Sequence, residues 1–290
     1  MNTSLVDTLR GEGVFAGAWN KEFRIFRGAV DPAAYISSAF IEDKLETGLL
    51  RWPYFSVLRH GAVPPESAYT ETRDVIGHRR PGFPDVAAIH RLMSAGGTLK
   101  LNKLSDWHRP TRDLVEDLEA QALVAVASYI FWTPPESRGM LPHRDAAHVV
   151  AVQLEGRKEW QLYADGGQVR SSAGLDVDAA RPSHTFVLEP GDVLYLPHGW
   201  PHDAIARDGD SLHLTFTLTE PTPDDLLEAL GQHVLDSDWE LAHRFHTTTL
   251  EERTENVRSA LLAGAGAGAG ALDDDTWVRA ALRPLREVTG

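Results

Sequence analysis

Three regimes of apolar and polar spacing succeed one another along the chain. Up to about residue 120, short apolar clusters are interrupted by Gly and Pro, as in HGAVPPES and RRPGFP, and the pattern predicts mixed helix and loop. Within it the stretch from Pro110 to Leu123 carries apolar residues at 114, 115, 118 and 122, which is one face of a helix. From Leu123 to Glu220 the pattern becomes that of short strands. They are expected at Leu123–Phe131, His148–Leu154, Lys158–Tyr163, Thr185–Leu188, Val193–Leu196 and Ser211–Thr219, with the turn signals TPPESRG, EGRK, EPGD, PHGWP and RDGD between them. The last strand alternates well. Leu212, Leu214, Phe216 and Leu218 fall on one face, and Ser211, His213, Thr215 and Thr217 on the other, as in a barrel around a polar cavity.

After Glu220 the pattern turns helical. Thr222 is placed to cap a helix that opens on Pro223, with Asp224 and Asp225 at its positive end. Thr249 and Glu252 have capping-box spacing, AGAGAGAGA at 263–271 reads as a linker, and a short helix is expected near Thr276 to Leu282. The chain is thus expected to be mostly β with flanking helices. A mixed helical segment, 1–120, would pack on a barrel, 121–220. A helical segment, 221–290, would pack on the same chain or pair two subunits into a homodimer.

Composition narrows the function. No apolar run reaches the ~18 residues of a membrane span, and the N-terminus lacks a basic stretch followed by an apolar one. The expectation is a cytoplasmic protein with no membrane contact. The absence of cysteine excludes disulfides, thiolate metal sites and cysteine nucleophiles. A net charge of -14 disfavours direct nucleic-acid binding; it fits either a basic substrate or solubility alone.

The chemistry is concentrated in Pro142-His143-Arg144-Asp145. On a strand, residues i and i+2 share a side, so His143 and Asp145 can converge on one ion while Arg144 points away, towards a surface ion pair. A third ligand is expected from another strand. His202 follows the Pro-Gly-Pro turn around Gly199 and can supply it. His198, four residues earlier, competes but sits in the turn, where its side chain is expected to face solvent. His148 and His213 are further candidates, or hydrogen-bonded histidines inside the barrel. Two His and a carboxylate on one face leave three adjacent positions of an octahedral metal open, the arrangement of non-haem Fe(II) oxygenases. Lys158 shares a face with Trp160 and Leu162. If that face is inward, its ammonium needs an anion, and the far carboxylate of 2-oxoglutarate would serve; the plainer alternative is a solvated lysine after a turn. Trp132 and Trp200 are expected to be packing residues.

Several segments, in order, resemble the JmjC-type cupins, and within them the ribosomal oxygenase group: YIFWTPP from Tyr129, GMLPHRD, VQLEGRKEWQLY, LEPGDVLYLPHGWPHDA and SLHLT. The likeness covers about residues 123 to 219 and extends more faintly to FAGAWNKEFRIFRG and GGTLKLNKL upstream. It implies a double-stranded β-helix with Fe(II) at His143, Asp145 and His202, and 2-oxoglutarate as cosubstrate with its carboxylate on Lys158. By the same resemblance Tyr129 stands where relatives often have Asn near the cosubstrate, Thr217 is expected to line the same pocket, and His148 stands where relatives usually carry an acid. The implied activity is O2-dependent hydroxylation of a C–H bond on a protein or peptide side chain, with N-demethylation as a variant. Hydroxylation of a free amino acid or natural-product intermediate, and a non-catalytic cupin binding module, are the alternatives.

Overall fold

The computed structural model describes residues 4–59, 61–164 and 181–236, and only isolated positions within 165–180 and 237–290. The predicted linker at 263–271, the final helix near 276–282 and the subunit-pairing role of the C-terminal segment therefore lie outside the described residues, apart from single positions. Two compact units divide the chain, one of residues 1–122 and 126–219, the other of 123–125 and 220–289.

The architecture is mostly antiparallel β with flanking helices, as the spacing predicts. One eight-stranded sheet contains β1 (Arg24–Phe26), β2 (Phe55–Leu58), β5 (Thr98–Asn102), β6 (Ala125–Thr133), β7 (His148–Leu162), β8 (His184–Leu188), β9 (Val193–Leu196) and β10 (His202–Thr219). Its order is β1-β9-β7-β10-β6-β5-β2, with β8 also on β7. The remaining strands, β3 (Thr70–Val75) and β4 (His78–Pro84), form a separate hairpin. Among the described residues the α-helical elements are α1 (Leu5–Gly11), α2 (Ser38–Thr47), α3 (Val86–Ser94), α4 (Leu104–Trp107), α5 (Arg109–Ala122) and α6 (Pro223–Asp236), with isolated helical positions after residue 250. Side chains close their first turns where the sequence offers them. Asp85 Oδ1 accepts from Ala88 N at 2.9 Å ahead of α3, and Thr222 Oγ1 accepts from Asp225 N at 3.2 Å at the start of α6. The Thr249–Glu252 pair makes both bonds of the expected capping box, at 3.3 and 3.2 Å.

Two features depart from the sequence pattern. The stretch before residue 120 is not only helix and loop, because β1, β2 and β5 are strands of the main sheet. Strands of three to five residues are too short to establish a two-residue period. The signals EGRK and RDGD do not end strands either; β7 and β10 run through them, paired from His202↔Leu162 to Leu218↔His148, with register shifts between Arg207 and Leu212 and between Leu212 and His213. Glycine there serves a bulge rather than a reversal. Gly156 has φ +64°, and a Cβ on it would lie 1.9 Å from the Asp210 carbonyl oxygen. Gly156→Ala is expected to cost about 2–3 kcal/mol of unfolding free energy, since strain and overlap act together. A urea midpoint unchanged from the parent would refute this account of the bulge.

The bend makes β7 serve two neighbourhoods. Val149–Val152 pairs with β9, and Lys158–Leu162 pairs with β8. Along β10 the predicted division of faces holds: Leu212, Leu214, Phe216 and Leu218 are buried in the core, while His213, Thr215 and Thr217 line a cavity on the other side. An apolar cluster of Val149, Ala151, Trp160, Leu162, Leu188, Leu194 and Leu196 supports that cavity. No helix among the described residues is long and apolar enough to cross a membrane.

Candidate metal centre and its pocket

Backbone pairing brings the two histidines together. His143 N donates to His202 O at 3.0 Å and His202 N to His143 O at 2.9 Å, an antiparallel bridge joining residues 59 positions apart. Each imidazole is then turned the same way. Nδ1 of His143 is 2.8 Å from the Leu141 carbonyl oxygen, and Nδ1 of His202 is 2.9 Å from that of Trp200. A carbonyl can only accept, so Nδ1 carries the proton and Nε2 presents its lone pair to the cavity. Asp145 completes the group, with Oδ1 3.7 Å from His143 Nε2 and Oδ2 3.6 Å from His202 Nε2. One ligand atom from each of the three side chains lies within 4.8 Å of the others.

Burial, and then the neighbouring His143, hold the His202 imidazole well below the ordinary histidine range, so it stays neutral and able to ligate. This donor set fits a divalent metal of the iron type: two neutral nitrogens whose far sides are fixed by carbonyls, one carboxylate, and open space opposite them.

The space is a cavity of about 190 Å³. Lys158 lies at its wall, only 3% exposed, without a carboxylate partner among the described residues. Its Nζ donates to Thr133 Oγ1 at 2.9 Å and is 3.3 Å from His213 Nδ1. Burial drives the Lys158 pKa down to about 7. His213 is pushed well below its ordinary value, by burial first and then by Lys158 and His202, so its Nδ1 is free to accept. An ammonium has three donors; Thr133 and His213 occupy two, and the third can meet an anion. The inward lysine of the sequence reading is thus found inward.

Tyr129 and Thr217 also reach the cavity, and their side chains hydrogen-bond to each other. Burial raises the Tyr129 pKa against the lowering effect of that bond, so the phenol stays protonated at neutral pH.

Two neighbours, Arg144 and His198, behave differently from expectation, and a third, His148, follows the second of its two readings. Arg144 does not lie at the surface: it is 6% exposed, and its Nη1 donates to the Gly199 carbonyl at 3.1 Å, because the turn around Gly199 covers the side opposite the ligands. His198 does not face solvent freely; it is half-buried, its ring edge-on to His148 at 5.9 Å. His148 is a hydrogen-bonded interior histidine, with Nδ1 3.1 Å from the Tyr195 hydroxyl and its ring stacked on Trp19 at 3.8 Å. Trp200 packs on the apolar cluster, and the Trp132 indole N–H donates to Asp210 Oδ2 at 3.2 Å.

One pocket residue escaped the sequence reading. Lys100, on β5, lies between Leu99 and Leu101, which are fully buried, and lines the cavity beside the ligand cluster. Its Nζ sits 4.4 Å from the Tyr129 ring centroid and 5.9 Å from that of Phe131. The signal was present in the alternation Thr98-Leu99-Lys100-Leu101-Asn102, which puts Lys100 on the opposite face from two leucines.

A protein-family model described as a JmjC domain matches residues 104–226. These residues resemble a JmjC domain. The match contains His143, Asp145, His202 and Lys158, and its range opens in α4, ahead of β6. The chain is 29% identical over 259 residues to the bifunctional lysine-specific demethylase and histidyl-hydroxylase NO66 of Drosophila persimilis, covering 76% of this chain and 37% of that protein. It is 34% identical over 187 residues to human ribosomal oxygenase 1, covering 60% of this chain and 29% of the relative. The chain therefore spans about a third of the length of these curated relatives. Among solved structures, Escherichia coli ycfD superposes with a TM-score of 0.57 at 18% identity, covering 92% of this chain and 69% of that one. A second structure, described as YcfD, a ribosomal oxygenase from Escherichia coli, in complex with cobalt and 2-oxoglutarate, gives 0.53 at 19% identity, over 87% and 65%. At that identity the likeness establishes the JmjC cupin fold.

Proposed function

We propose that this JmjC domain is an Fe(II)- and 2-oxoglutarate-dependent dioxygenase that hydroxylates a C–H bond on a protein or peptide side chain. The observation that carries the proposal is the meeting of His143, Asp145 and His202 around one point, with both histidine Nδ1 atoms tied to backbone carbonyls. The relatives named as histidyl-hydroxylase and ribosomal oxygenase, and the YcfD complex with cobalt and 2-oxoglutarate, support the same chemistry.

When bound, the metal and cosubstrate supply oxidation of the C–H bond by O2, coupled to conversion of 2-oxoglutarate to succinate and CO2. The chain supplies position. His143, Asp145 and His202 would hold the metal on one side only, leaving the cavity side open. Lys158, with its third donor unused, would hold the far carboxylate of the cosubstrate, and the Thr133–His213 pair aims the ammonium. Tyr129 and Thr217 would bound the cosubstrate from the β6–β10 side. The apolar cluster beneath Trp160 excludes water from one wall. No side chain is required as a general base.

Incubation with Fe(II), 2-oxoglutarate and O2 is expected to yield succinate, and mass spectrometry of peptide pools is expected to show the gain of one oxygen atom. Absence of succinate under every substrate condition refutes the oxygenase reading. Oxygen gain confined to free amino acids or small metabolites refutes the peptide assignment while sparing the chemistry.

A further inference from the structure

The pocket carries a second cation that the mechanism above does not use. Lys100 enters from β5 and is held over the Tyr129 ring, with Phe131 alongside. Among the described residues no carboxylate lies within ion-pair distance of its ammonium, and Asp145 acts on it only through space. Two buried carboxylates of this unit are matched directly: Asp203, 0% exposed, takes an Arg138 donor at 2.6 Å, and Asp192 takes one from Arg27 at 2.6 Å. Lys100 is different because its partners are ring faces, which offer it no lone pair.

Charge bookkeeping in the loaded pocket shows what is missing. A divalent metal, Lys158 and Lys100 contribute positive charge; Asp145 and the 2-oxoglutarate dianion contribute negative charge. One positive charge is left over. It falls on Lys100, beside the metal ligands, in a chain whose net charge is -14. A second cation entering this half-buried space would meet unscreened repulsion, whereas a carbonyl, imidazole nitrogen or carboxylate would find a donor.

We infer that Lys100 is a specificity-determining residue: it admits a substrate group bearing a hydrogen-bond acceptor, neutral or anionic, next to the oxidised carbon, and it rejects a cationic one. This rests on the oxygenase reading above and deepens it. A protein substrate would present a neutral or acidic side chain, and an N-methylated ammonium would be excluded.

The test uses the full chain loaded with zinc in place of iron and with saturating 2-oxoglutarate, so that no turnover occurs and Lys158 is already engaged. Two probes of near-equal shape are titrated by ligand-observed NMR: 3-methylbutanoate, an anion, and 2-methylpropylammonium, a cation. The carboxylate is expected to bind at least about tenfold more tightly, the ratio a single nearby charge produces at modest dielectric. In Lys100→Met the ratio should fall to within about twofold, in Lys100→Glu it should invert, and in Lys100→Arg it should persist. Equal binding of the two probes by the parent, failure of the carboxylate to bind, or a preference that survives in Lys100→Met overturns the inference. If 2-oxoglutarate itself fails to bind the zinc-loaded chain, the oxygenase reading falls and this inference with it. If it binds and the probes are not discriminated, only the role of Lys100 falls.

Discussion

Asp145→Ala is expected to lower 2-oxoglutarate turnover by at least about a hundredfold while leaving the fold intact. Loss of a residue that merely orients a metal ligand costs roughly 10–100-fold in affinity or activity, so loss of a ligand should cost more. Asp145 is the informative position because its side chain does little else. It is 30% exposed, and its only described partners are the two Nε2 atoms at 3.7 and 3.6 Å. Its backbone oxygen, which accepts from Gly199 N at 3.1 Å, is untouched by the substitution. Unfolding free energy should therefore move by less than about 1 kcal/mol. His202→Ala would be harder to interpret, since His202 is buried and stacks on Trp160 at 5.6 Å, and its loss mixes a cavity with a missing ligand. Turnover and metal content are measured on the same preparation, with thermal unfolding alongside. Full turnover in a folded Asp145→Ala variant would remove Asp145 from the metal centre.

The site was legible in the sequence where chemistry and periodicity coincide. His143 and Asp145 are two residues apart in extended chain, and a strand period of two is enough to put them on one side. The facing of His213, Thr215 and Thr217 followed from the same rule applied to β10. His202 was harder, because its place depends on a backbone bridge to His143 that no local spacing encodes. Lys100 was missed for a related reason. A lysine alternating with leucines reads as the solvent face of an edge strand, and only the neighbouring strand β6, paired at Lys100↔Phe131, turns that face into a pocket wall. Arg144 shows the converse error: the direction of its side chain was inferable, but not that the turn around Gly199 would cover it. The bulge at Gly156 was read as a chain reversal because glycine marks both, and the difference lies in the strand opposite.

Lys158→Met should stabilise the cofactor-free protein and abolish productive 2-oxoglutarate binding, and the two effects share one cause. Burial lowers the lysine pKa to about 7, so the unfolded chain binds more protons at this residue than the folded one between about pH 7 and its unperturbed value. Its contribution to stability therefore rises with pH across that window, and the full cost of the buried ammonium is present below about pH 7. At a little over 1 kcal/mol per pKa unit, that cost is on the order of a few kcal/mol. Methionine has similar length and removes it. Two bonds are lost with the ammonium. Thr133 Oγ1 still receives the Thr98 hydroxyl at 3.1 Å, but His213 Nδ1 is left without its described donor, which costs about 1–3 kcal/mol. The net is a gain of about 1–2 kcal/mol at pH 6.5, shrinking towards pH 9 as the parent sheds its proton. Cosubstrate binding moves the other way. A carboxylate driven into the pocket without the ammonium is a buried unpaired charge, worth about 3–5 kcal/mol, so the KM for 2-oxoglutarate should rise at least about a hundredfold. For the same reason the parent's affinity should weaken as pH climbs above about 7, where the free protein must take up a proton to bind. Thermal unfolding at the two pH values and a 2-oxoglutarate titration decide it: a less stable variant at pH 6.5 with unchanged KM would mean that Lys158 serves the core and not the cosubstrate.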